Sequence, residues 1–228
     1  NNRLILNQEG KRLLPLADEL LHRSDDLHHM FQAEQALHGL LKIGASDTIG
    51  NQVVPYLLRD FRQESQHTQQ SLFISNSATI CQKLVDFELD IALIESQTHH
   101  PDLISIPFSH DEMCIISAKD HPLAKHKKLT ITDLEHSDWV LREPGSGSRE
   151  AFINTLAPKL NHWQLAFEIN TTEALISSVS AGLGLGCLST LAAQYAIKSG
   201  RVSQLTPPIS MPRRFWFLIH KDKYQNPL

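Results

Sequence analysis

The chain has 228 residues, 41% of them hydrophobic and 20% charged, with a formal net charge of −4. That balance supports a buried core and excludes a disordered or fibrous chain. No stretch concentrates Lys and Arg, which argues against a phosphate-gripping nucleic-acid surface within this sequence.

From Gln8 to about Leu37 the chain shows no strand-like alternation. Leu13, Leu20 and Leu27 recur every seven residues, with Leu16, Ala17, Met30, Phe31 and Ala33 on the same flank and Arg12, Glu19 and Arg23 elsewhere. The spacing predicts a long amphipathic helix with a heptad-like seam, begun or kinked at Pro15. Its stripe needs cover, either from its own domain or from the same helix of a second copy. His22, Asp25, Asp26 and His29 share this helix but have no evident further ligand, so they read as a solvated face, and no metal is expected.

Strands and helices then alternate. Leu41–Ala45 predicts a strand, Thr48–Arg62 a helix, Ser71–Ser75 a strand, Ala78–Phe87 a helix and Asp90–Ile94 a strand apolar on both faces. This order predicts a parallel sheet covered by helices. Ile104–Phe108 and Glu112–Ala118 are expected as two further strands. His121-Pro122-Leu123 and the Lys125–Lys128 cluster then mark a crossing. A second series follows: strands at Trp139–Arg142, Gln164–Ile169 and Leu185–Leu188, helices at Ser148–Leu156, Thr172–Ala181 and Thr190–Ser199. A short strand at Val202–Leu205, a break at Pro207-Pro208 and a final strand at Phe215–His220 close the pattern. Two similar α/β lobes joined by crossings imply a ligand-binding cleft between them.

Polar residues cluster where strands hand over to helices, the position at which free N–H groups receive ligands in open parallel sheets. Four segments qualify: Ala45–Thr48, Ser75–Thr79, Glu143–Arg149 and Asn170–Glu173. Helix capping explains Ser, Thr and Asn at such places equally well. The third asks for more. Gly145 and Gly147 allow close backbone approach, Ser146 and Ser148 supply hydroxyls, and Arg149 adds a planar cation suited to oxyanions.

Other chemistries fare less well. Gly182, Gly184 and Gly186 end a helix and lead into a strand, the reverse of a dinucleotide-binding turn, so no cofactor is expected. No GxSxG or HExxH occurs, and no catalytic residue is assigned. Asp47 and Glu95 are candidates to face the cleft, but two separate segments do not establish a carboxylate pair. Cys81, Cys114 and Cys187 form no CxxC spacing, and the first ten residues lack a secretory pattern, so a reducing cytoplasm is expected. No apolar run approaches the ~18 residues of a membrane span.

In this order, several segments resemble the LysR-type transcriptional regulators of bacteria. Leu6–Leu14 is similar to the family's exit into its linker helix, with Asn7 where Thr is usual. Leu41–Ser46 resembles the first strand of the effector domain, Pro55–Phe61 its first helix and Leu89–Ile94 its Leu-Asp-x-Ala-Ile segment. His121-Pro122-Leu123 and Val179–Gly184 match further family patterns. The resemblance implies two Rossmann-like subdomains with periplasmic-binding-protein type II topology, preceded by a long linker helix. The expected division is 1–39 for wing remnant and linker helix, 40–118 plus 207–228 for subdomain I, and 119–206 for subdomain II. It also implies a role: binding a small oxyanion or organic acid between the lobes and altering a homo-oligomer held on DNA by a winged helix-turn-helix absent from this sequence. Effector contacts carry over to Ser46, Thr48, Ser146, Ser148 and Arg149, and further to Asn76 and Thr171, with Gly145 and Gly147 shaping the turn. A stand-alone solute-binding protein or a small enzyme on the same fold is the alternative.

Overall fold

The computed structural model describes residues 6–29, 37, 39–126, 128–207 and 209–224. Met30, Phe31, Ala33, Pro208 and Lys127 lie outside them, as do the side chains of Asp25 and Asp26. The elements in chain order are α1 (Gln8–His29), β1 (Leu41–Ser46), α2 (Asp47–Gln52), α3 (Val54–Ser65), β2 (Gln70–Ser75), α4 (Ser77–Val85), β3 (Ile91–Ile94), β4 (Leu103–Ser117), β5 (Asp138–Arg142), α5 (Gly147–Ala151), β6 (Gln164–Ile169), α6 (Thr172–Ser180), β7 (Leu185–Ser189), α7 (Thr190–Lys198), β8 (Ser203–Leu205) and β9 (Pro212–His220).

The strands form two sheets with one plan. In lobe I the order is β2-β1-β3-β9-β4, with β1 parallel to β2 and β3 and with β9 antiparallel to β3. In lobe II it is β6-β5-β7-β4-β8, again with three parallel strands followed by an antiparallel one. Each lobe thus receives its fourth strand through a crossing. One crossing lies inside β4, which pairs with β9 from Leu103 to Glu112 and with β7 and β8 from Met113 to Ser117. The other lies at Met211, whose carbonyl accepts the Met113 N–H at 3.0 Å just before β9 begins.

Strand periodicity builds a core on both faces of each sheet. On one face of lobe I, Leu41, Ile43 and Ala45 pack with Ile49, Val54 and Phe215; on the other, Ile80, Leu84, Leu89 and Ala92 pack together. Gly44 lies on the second face, where a Cβ would come within 2.5 Å of Leu89 Cδ1. In lobe II, Trp139, Leu141, Phe152 and Leu185 fill one face while Val140, Leu175, Val179 and Leu188 fill the other.

Two expectations are corrected. The helix expected over Thr48–Arg62 is broken at Val53 into α2 and α3, because Pro55 lacks an N–H and its ring conflicts with the preceding turn. The two strands expected at Ile104–Phe108 and Glu112–Ala118 are one 15-residue strand, irregular between Pro107 and Ser109. Hydrogen bonding to β9 carries the chain through the polar stretch between them.

The helix α1 runs through Pro15 and turns its seam outward: Leu13, Leu16, Leu20 and Leu27 are between 58 and 68% exposed. Its polar flank meets lobe I instead. Asp18 pairs with Lys223 at 2.9 Å, and Lys223 also pairs with Asp90 at 2.9 Å at the foot of β3.

Candidate functional site

The carboxyl ends of β1, β2 and β3 face those of β5 and β6, so helix starts from both lobes converge on one seam. The loop Glu143–Ser148 seats directly on lobe I. The Ala78 N–H donates to the Gly145 carbonyl at 3.2 Å. A Cβ on Gly147 would stand 2.7 Å from Glu95 Cβ, and one on Gly145, at φ +85°, 2.8 Å from Ala78 Cβ. Both glycines therefore serve the close approach of lobe to lobe.

Two buried arginines organise the seam. Arg213, on β9 opposite Asp111 of β4, pairs with Asp111 at 2.8 Å and with Glu95 at 2.8 Å. It also reaches Thr48 Oγ1 at 3.3 Å and Ser148 Oγ at 3.4 Å, linking the lobes. The Thr48 N–H donates to Glu95 at 2.7 Å. Burial works against the Glu95 charge, but the Arg213 guanidinium and the Thr48 hydrogen bonds outweigh it and hold the carboxyl below its usual range. For Arg213, burial is likewise outweighed by its two carboxylates, and its pKa is raised.

Arg142, at the end of β5, is the second centre. Its Nη1 donates to Asp47 Oδ2 at 3.1 Å across the seam and to Thr172 Oγ1 at 3.1 Å. Its Nε and Nη2 are taken by Glu143, at 2.9 and 3.2 Å. Asp47 Oδ2 further accepts the Thr172 N–H at 3.3 Å and the Thr172 hydroxyl. Glu143 is anchored across the seam by the Asn76 amide at 3.1 Å. Burial raises its pKa, while Arg142 and Asn76 together lower it further, leaving the carboxyl below its usual range.

The sequence-derived candidates are distributed as follows. Ser46 precedes α2 with its side chain buried, its hydroxyl beside the Glu95 carboxylate, whose charge it favours. Thr48 and Ser148 meet at Arg213, and Ser146 and Gly147 are buried beside them. Asn76 caps α4 by accepting the Thr79 N–H at 2.9 Å, and Thr171 caps α6 by accepting the Ala174 N–H at 3.3 Å. Arg149 departs from expectation. It turns to β6 and donates to Glu168 at 2.6 Å and to the Arg142 carbonyl at 2.9 Å. A carboxylate and a carbonyl hold it within its own lobe, so its charge does not face the seam.

Asp111, Arg142 and Arg213 escaped the sequence reading because the partners that place them at the seam, Asp47 for Arg142 and Glu95 and Asp111 for Arg213, lie about a hundred positions away. A signal existed: a charged residue in or bounding an otherwise apolar strand needs a buried counter-charge. The cysteines offer no nucleophile, since burial pushes the Cys81 and Cys114 thiols up to about 11 and Cys187 higher still.

A cavity of about 450 Å³ opens along the seam, lined by Asp47, Thr48 and Asn51 from lobe I and Thr171, Thr172 and Glu173 from lobe II. Its size and mixed polar lining suit a small molecule. Among the described residues no group of three or more His, Cys, Asp or Glu is placed to hold a metal ion. No described helix is long and apolar enough to cross a membrane.

The family model for the LysR substrate binding domain matches residues 34–228. The Escherichia coli (strain K12) protein named "Uncharacterized HTH-type transcriptional regulator YeiE" is 32% identical over 223 residues, covering 97% of this chain and 75% of the relative. The regulatory domain of Synechocystis PCC6803 CcmR, solved in complex with 2-PG, matches with a TM-score of 0.75 at 24% identity, covering 83% of this chain and 91% of that one. The effector binding domain of QuiR, solved in complex with shikimate, matches with a TM-score of 0.75 at 21% identity, over 84% and 91%. These likenesses agree with the strand orders in assigning the periplasmic-binding-protein type II fold. The chain therefore belongs to the LysR family of transcriptional regulators, not to a family of enzymes, and carries that family's substrate-binding domain.

Proposed function

We propose that the chain senses a small anion or organic acid held between its lobes and converts occupancy into a change of lobe angle. The observation that carries this reading is the convergence of helix starts from both lobes: Thr48, Thr171 and Thr172 line a cavity of about 450 Å³, and Ser148 meets Thr48 at Arg213. Helix N-termini and hydroxyls favour oxygen-rich, negatively charged ligands. Ser46, Thr48, Ser146, Ser148 and Thr171 are the proposed contacts, with Asn76, Gly145 and Gly147 shaping the seam. Arg149 holds the loop through the Arg142 carbonyl. The complexes of CcmR with 2-PG and of QuiR with shikimate support a small-molecule effector.

In this reading the domain works in the cytoplasm within a homodimer or homotetramer, joined through α1. DNA is contacted by the helix-turn-helix portion for which relatives such as YeiE are named. The ligand moves the assembly only as far as its affinity differs between lobe arrangements. Thermal-shift screening with sulfite, sulfate, thiosulfate, phosphate and common organic acids tests the proposal, because a ligand of the folded state raises stability with saturation. A panel without any saturable shift, confirmed by calorimetry, refutes it.

A further inference from the structure

The seam already contains bound negative charge. Arg142 and Arg213 face four carboxylates, those of Asp47, Glu143, Glu95 and Asp111. An incoming anion therefore finds no free guanidinium at either centre.

The Arg142 centre shows how one enters. Glu143 covers its Nε and Nη2, and Asn76 of the opposite lobe pins Glu143 in place. What remains is Nη1, the Thr172 N–H at the start of a nine-residue helix and the Thr172 hydroxyl. All three converge on a single oxygen, Asp47 Oδ2. A guanidinium N–H, a helix-terminal N–H and a hydroxyl together form a strong set for one oxyanion oxygen. The donors belong to lobe II, and the carboxylate filling them belongs to the first residue of α2 in lobe I. Asp47, Thr171 and Thr172 also line the cavity, so the filled donors and the open space are contiguous. The Asp47 tether is held by Asn51, which donates to the Asp47 carbonyl at 2.8 Å and to Oδ1 at 3.3 Å.

We propose that Asp47 is a tethered occupant of lobe II's anion-holding donors, so that an effector anion binds by displacing this carboxylate. The proposal rests on the reading that the cleft takes an anion, and it names the residue that sets the threshold for binding. Apparent affinity is then the intrinsic affinity reduced to the fraction of molecules in which Asp47 has left the donors. Only an anion that satisfies the three donors better than a carboxylate already in place is sensed.

A lobe latch without this competition makes the opposite prediction, because cutting a latch weakens binding or leaves it unchanged. The test is titration calorimetry of the parent, Asp47→Asn and Asp47→Ser with sulfite, sulfate, thiosulfate and phosphate. Circular dichroism of the ligand-free proteins checks the fold of both variants. The expected result is that the best anion binds both variants about tenfold tighter or more, the scale of one charge-assisted hydrogen bond freed for the ligand. Binding by the variants alone also supports the proposal. If the parent binds an anion and neither variant binds it more tightly, Asp47 is not a competitor, while the cleft reading stands. If none of the three proteins binds any of the four anions, this proposal falls, while the cleft reading is decided separately by the organic acids of the wider screen.

Discussion

Replacing Arg213 by methionine removes the only cation among the described residues in direct contact with Glu95 and Asp111, which are 4 and 7% exposed. Methionine fills the space without a charge, so two buried carboxylates lose their shared partner. Breaking a buried ion pair from one side costs about 3–5 kcal/mol. For a chain of this length that is a fall in Tm of about 6–20 °C, at about 2–4 °C per kcal/mol. The pH dependence sharpens the expectation. In the parent, Glu95 has a lowered pKa, so its contribution is full above the unfolded value of about 4.3 and is lost as pH falls through the lower folded value. The parent's stability from this group is therefore flat between pH 7.5 and 5. In Arg213→Met, burial without the guanidinium raises the Glu95 carboxyl, and acidification over the same window recovers stability. Urea denaturation at both pH values reads the two effects, and Glu95→Gln added to Arg213→Met relieves part of the loss at pH 7.5. A single variant within about 1 kcal/mol of the parent at pH 7.5, or one that weakens further at pH 5, refutes the assignment of Arg213 as the buried counter-charge.

Gly147→Ala places a methyl group 2.7 Å from Glu95 Cβ; overpacking of about 1–3 kcal/mol is expected, together with looser lobe closure, measured by denaturation and small-angle scattering. Ser148→Ala removes a neutral hydroxyl from the seam and weakens binding of an effector by about fivefold, the scale of about 1 kcal/mol, whereas Arg149→Ala changes it less. Calorimetry showing the reverse order returns Arg149 to the site. Leu20→Lys, on the outward face of α1, shifts the assembly toward single chains in sedimentation velocity at micromolar concentration; a parent that sediments as a single chain rules out the helix as a dimer seam.

Short-range periodicity made most of the elements legible. Short apolar runs bounded by turn residues located β1 to β3 and β5 to β7, and Ser, Asn and Thr at strand ends marked the helix starts of the seam, because burial of a strand and capping of a helix are both written locally. Ser46, Thr48, Asn76, Ser148 and Thr171 could be named for that reason. Tertiary structure alone decided where the charges went. Arg213 meets Glu95 across 118 positions of sequence and Asp47 meets Thr172 across 125. No local pattern records such a pairing, since it follows from two lobes whose strand ends are brought together by the crossings at Met113 and Met211. The direction of Arg149 was equally undetermined: Gly-Ser-Gly-Ser-Arg presents the same donors whichever way the guanidinium turns. It turned to β6 and the end of β5, where Glu168 and the Arg142 carbonyl stand within 2.9 Å, because a buried or half-buried cation goes where its charge is met.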